Sequence, residues 1–165
     1  VGGKNIIKMS ELKACFESMG FKMVVTYIQS GNVLFDSDDT DSELITLKIE
    51  SKLSEQFNYI SKIVLVSQHN LIRIVKAAPE GFGTQRDEYR CDVIFLKPPL
   101  TAGETISKIK VKEGVDYVKA GDGVLYFWRL SKLSSQSQMT KMIGMAIYKE
   151  MTIRNWNTTL KLCEL

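Results

Sequence analysis

One histidine, three prolines and three cysteines are all that 165 residues contain of the types most used for metal binding, chain breaking and cross-linking. Cys15, Cys91 and Cys163 lie far apart and form no CxxC pair, so a disulfide framework and a cysteine-based zinc site are both excluded. Each sits in an apolar segment, as expected of buried free thiols in a reducing, cytoplasmic setting. With His69 alone, no second histidine exists for a metal site or a relay, and its place two residues after Ser67 marks it as a solvent-facing residue of a helix's first turn. Apolar runs stay well short of the roughly 18 residues that a membrane span needs, so no membrane partner is expected. "VGGKNIIKMS" has no signal-peptide core and no initiator methionine.

What is present is ordinary for a globular chain: 44% apolar residues, 25% charged, and a formal net charge of +3. That balance permits contact with nucleic acid or an anionic metabolite and demands neither. A chain of this length buries enough apolar surface to fold without staples.

Element signals are clear along most of the chain. Ser10 reads as an N-cap, with Leu12, Cys15, Phe16 and Met19 on one helical face and Gly20 as the stop. Phe21–Gln29 and Val33–Asp36 read as strands around the turn Ser30-Gly31-Asn32, where Gly31 and Asn32 tolerate positive φ. Thr40 and Glu43 form a capping box before a helix with Ile45, Ile49, Leu53 and Phe57 on one side. "SKIVLVS" reads as a buried strand, and Ser67 caps a helix that Pro79 ends. "PEGFGTQRDE" (79–88) looks like a linker.

After it the order starts again. Tyr89–Leu96 is a strand, and Thr101 with Glu104 caps a short helix. Val115–Ala120 and Val124–Leu130 form a hairpin around Gly121-Asp122-Gly123. A helix follows with Met139, Met142 and Ile143, then a weak strand near 145–148 and a last helix with Ile153, Trp156, Leu160 and Cys163. Both hairpin turns, and both capped helices at Ser10 and Thr101, are separated by the same distance along the chain. The spacing predicts an α+β fold of two ferredoxin-like α/β plait units (βαββαβ repeated), each followed by a helix. Residues 1–78 hold the first unit, 79–88 the linker and 89–165 the second. The counterpart of Tyr89–Leu96 falls across and before residue 1, so the first unit is expected to lack its first strand.

"VGGKNIIKMSELK", "GFKMVVTYIQSGNVLF" and "MTIRNWNTTLKL" together resemble the uncharacterised bacterial family called domain of unknown function 1697. The likeness spans essentially the whole chain. It implies two α/β plaits and an opening strand ahead of Val1, and nothing about activity.

Catalytic templates are missing: there is no HExxH, no P-loop spacing and no triad partner, so an enzymatic role has no recognisable motif, and neither a metal nor a cofactor is implied. The acids of "DSDDTD" (36–41) lack the glycine and closing glutamate of a calcium loop and suit the start of a helix. Three polar clusters remain. Lys4 and Asn5 in "GGKN" offer a charge and backbone N–H groups ahead of a helix. Ser30 and Asn32 place a hydroxyl and an amide at a strand end. Arg154 and Asn155 stand where a helix's first turn is expected, and there an arginine opposes the macrodipole unless an anion is bound. These six residues make up the candidate site for a small phosphate- or carboxylate-bearing ligand. Its alternatives are RNA or single-strand binding on the plait sheet through Tyr126 and Trp128, and a structural or protein-interaction role.

Overall fold

Polar residues at helix starts organise the chain locally. Asp41 accepts from the N–H groups of Glu43 and Leu44 (3.1 and 3.2 Å), Ser67 from that of Asn70 (3.1 Å), and Thr101 from that of Glu104 (3.3 Å). Each satisfies a backbone donor that the first turn leaves unpaired. The computed structural model describes residues 6–165. Its elements are α1 (Met9–Ser18), β1 (Lys22–Tyr27), β2 (Asn32–Asp36), α2 (Ser42–Phe57), α3 (Gln68–Lys76), β3 (Tyr89–Leu96), α4 (Ala102–Ile106), β4 (Asp116–Ala120), β5 (Val124–Leu130), α5 (Met139–Met142), β6 (Met151–Asn155) and α6 (Trp156–Glu164). Two caps differ from expectation. Asp41 rather than Thr40 starts α2, and Lys8 precedes α1 without a side-chain cap, leaving Ser10 inside the helix.

The fold is mixed α+β with two antiparallel sheets, and the chain divides into two compact units, Val1–Leu65 with Leu165 and Val66–Glu164. In the first unit β1 and β2 form a hairpin, and Leu12, Cys15, Phe16, Ile45, Ile49 and Leu53 from α1 and α2 bury against Phe21 and Val24. Rings of Phe16, Phe21 and Phe35 cluster with centroids 4.4 to 6.0 Å apart. Lys48 closes that cluster, its Nζ 5.1 Å from the Phe21 ring centre and 2.7 Å from the Met19 carbonyl. The expected strand "SKIVLVS" is not a strand among the described residues. Apolar content matched a buried strand, but side chains of α2 engage its backbone: Ser54 Oγ accepts from the Ser61 N–H (2.9 Å) and Glu50 Oε2 from the Ile63 N–H (2.9 Å).

The second unit carries a four-stranded antiparallel sheet in the order β4-β5-β3-β6, the strand order of an α/β plait. On one face Ile94, Leu96, Leu125, Phe127 and Met151 pack with Met139, Met142, Ala102 and Ile109. On the other, Tyr126 is 1% exposed and donates its hydroxyl to the Ile74 carbonyl of α3 (2.5 Å), beside α6. Residues 79–88 are therefore not a linker. They form turns whose Phe82 lies edge-on to Tyr126, Trp128 and Trp156 (5.6, 5.8 and 4.9 Å between centroids), so the division falls after Leu65. The last strand comes later than expected, at Met151–Asn155, because 146–150 turn as a 3-10 segment. Helix α6 starts only at Trp156, where Asn155 caps it through Thr158 N–H (2.8 Å).

Gly83 has φ +78°, and a Cβ there would overlap the indole of Trp156. Gly83→Ala combines left-handed strain with overpacking and is expected to destabilise the second unit by roughly 2–4 kcal/mol. Urea unfolding followed by tryptophan fluorescence checks this.

Candidate functional site

The residues singled out in the sequence divide between the units. Lys4 and Asn5 lie outside the described residues. Asn32 is only 7% exposed, and its Nδ2 donates to Ser30 Oγ (2.7 Å) and to the Tyr27 carbonyl (3.2 Å). Ser30 and Asn32 thus bond to each other across the turn. The positive φ values fall on Ile28 (+49°) and Gly31 (+80°) rather than on Asn32, which is already in β2. Gln29 adds a tie, donating Nε2 to the Ile7 carbonyl (3.0 Å). The acids of 36–41 are also engaged: Asp38 pairs with Lys22 (3.0 Å), Asp39 accepts from the Asp41 N–H (3.0 Å), and Asp41 caps α2.

In the second unit Arg154 stands in β6, opposite Val93 of β3, not in a helix. Arg154 is therefore a strand residue just before the α6 cap, not the first-turn residue on which the macrodipole argument rests. Its Nη1 donates to the Ile153 carbonyl (2.9 Å), and burial pulls the guanidinium below its usual range. Asn155 opposes Asp92 across the ladder.

The surface holds a cleft of about 270 Å³ beside the 79–85 turns, where Phe82, Gly83, Gln85, Tyr89, Cys91 and Trp128 meet. Burial pushes the Cys91 thiol up, and a hydrogen bond with the Gly83 backbone partly offsets this. Trp128 stacks on Tyr117 with ring centres 5.7 Å apart and planes within 15°. Tyr126 does not join an open aromatic surface, because α3 covers it.

A second polar group lies on the opposite face of the same sheet, at the start of β3. Register pairs Arg90 with Arg129, Arg129 with Asp116, and Asp92 with Phe127 and Asn155. Directly paired residues of antiparallel strands share a face. Arg90, Asp92, Arg129 and Asp116 therefore form one charged end of the face whose middle holds the apolar core. Asp116, 4% exposed, is fully engaged: Oδ1 accepts from Ser137 Oγ (2.5 Å), and Oδ2 from the N–H groups of Lys112 (2.9 Å) and Gln138 (2.8 Å). Arg129 is different. Its Nε is sealed from solvent and has no hydrogen-bond partner among the described residues. Burial raises the Asp92 carboxyl above its usual range, and the charges of Arg129 and then Arg90 pull the other way.

Neither arginine nor Asp92 was singled out in the sequence. The available signal was "YRCDVIFL", a strand with charges at alternate positions, and its meaning depended on knowing that both edges of that strand are paired. No group of three metal-ligating side chains is found among the described residues, nor a helix long and apolar enough to cross a membrane.

A family model described as "Protein of unknown function (DUF1697)" matches residues 1–126. A solved structure of a conserved bacterial protein from Streptococcus pneumoniae is similar, with a TM-score of 0.83 at 25% identity over 99% of this chain and 91% of that one. Among curated proteins there is no match.

Asn32→Ala removes two bonds from a buried amide inside the first unit. It is expected to cost about 1–3 kcal/mol of stability and to leave anion binding by the second unit unchanged, checked by urea titration alongside the ligand melts described below.

Proposed function

Because the chain belongs to the DUF1697 family, whose description assigns no activity, we propose from its chemistry that it is a binding module for a small carboxylate- or phosphate-bearing ligand, anchored by Arg90 and Arg129. One observation carries this reading: the buried Arg129 Nε has no acceptor and stands across the ladder from a second arginine. Like charges directly opposite on paired strands repel. A buried donor left without a partner costs roughly 1–3 kcal/mol, more when charged. An anion between the two guanidinium groups answers both, since their planar forks match carboxylate and phosphate oxygens.

Asn155 enters this reading through its position opposite Asp92. Ser30 and Asn32 do not, and Lys4, Asn5 and Arg154 are not needed for it. Stacking of nucleic acid on the sheet has less support, because Tyr126 is buried under α3. We also read the two units as a tandem plait repeat, the β1–β2 hairpin corresponding to β4–β5, in a protein that works in the cytoplasm with its thiols free.

Melting curves with inorganic phosphate and with propionate, at matched ionic strength in chloride, test the anion site. The melting temperature is expected to rise with the concentration of at least one anion, and Arg129→Gln to remove most of that rise. An unchanged response in Arg129→Gln, or no rise in the wild type, sinks the reading.

A further inference from the structure

Asp92 sets a condition on any ligand held by the arginine pair. It occupies the central strand two residues from Arg90 and on the same face, diagonal to Arg129. It is half-buried, and among the described residues it makes no hydrogen bond or ion pair with either arginine. A simple anion placed on Arg129 would bring a second negative charge next to this carboxylate, in a site partly withdrawn from water where repulsion is strong. A ligand that also carries a hydrogen-bond donor turns that repulsion into a contact.

We propose that the site takes a small carboxylate with an amino or hydroxyl group on the adjacent carbon. The carboxylate lies on the Arg90 and Arg129 guanidinium groups, and the donor lies on the Asp92 carboxylate. This inference rests on the anion-binding reading above and narrows it.

The spacing fits. Two residues along a strand span roughly 6.8 Å. Arg90 and Asp92 stand on one face at that spacing, near enough for a ligand with both groups on neighbouring carbons to meet both side chains. Charge also fits better than for a dianion. Arg90 and Arg129 balance Asp92 and Asp116, so the charged end is neutral by itself, and one carboxylate adds a smaller excess of negative charge than a phosphate dianion. Asn155 lies opposite Asp92 across the ladder. Its Oδ1 accepts from the Thr158 N–H.

Three probes of nearly equal size separate the possibilities: alanine, lactate and propionate, each titrated into the full chain by calorimetry. Propionate has the carboxylate and lacks the donor. At least one of alanine and lactate is expected to bind tenfold or more tightly than propionate, and which of them does so identifies the donor as ammonium or hydroxyl. Asp92→Asn, checked for folding by circular dichroism, is expected to bring that ratio close to one while propionate still binds, and Arg129→Gln to weaken all three. If propionate binds as well as the other two and remains sensitive to Arg129→Gln, this inference is overturned and the anion reading stands. If none of the three, nor phosphate, binds in an Arg129-dependent way, both are overturned.

Discussion

Strand β3 is hydrogen-bonded along both edges, to β5 on one side and β6 on the other. A strand so placed cannot turn a polar edge to water, and its two faces are covered by different helices. Its second half answers this with Val93, Ile94, Phe95 and Leu96, all buried. Its first half does not, and Arg90 and Asp92 are built into the same ladder. Their long or charged side chains must find partners along one face of the sheet, where Arg129 and Asp116 are the nearest charged neighbours. The charged end thus follows from putting polar residues on the central strand of a sheet whose middle is fully apolar.

Asp116 shows how the fold settles one half of that cluster. Its carboxylate gathers one hydroxyl and two backbone N–H groups, so it fixes the segment leading into α5. Structural demand has been met on the β4 side of the sheet and left open on the β3 side.

Much of this was legible from residues alone. The strand Tyr89–Leu96 was bounded correctly by its apolar run and the prolines after it, and both hairpins were marked by short polar turns. Ser67 and Thr101 announced helix starts because hydroxyls there have few other uses. What failed did so for tertiary reasons. "SKIVLVS" has the composition of a strand, but strand formation needs a partner's backbone, and side chains of α2 took two of its N–H groups instead. "PEGFGTQRDE" has the composition of a linker, yet one phenylalanine with three aromatic neighbours binds it into the sheet. Arg154 was misplaced by one element because Asn155, not an earlier residue, caps α6. The arginine pair was invisible for a different cause. Residues 90 and 129 are opposite only through a register that no local pattern encodes.

The bond from Tyr126 to the Ile74 carbonyl reaches across 52 positions of sequence. Helix α3 leaves the ribosome well before the strand that anchors it, and its exposed Ile72 shows how little of its surface is self-sufficient. Closing so long a loop carries an entropic cost that only the assembled sheet repays. The core of the first unit, by contrast, draws on residues up to Leu65, all earlier in the chain than α3. One hydroxyl thus ties the place of α3 to a strand that the chain reaches only much later.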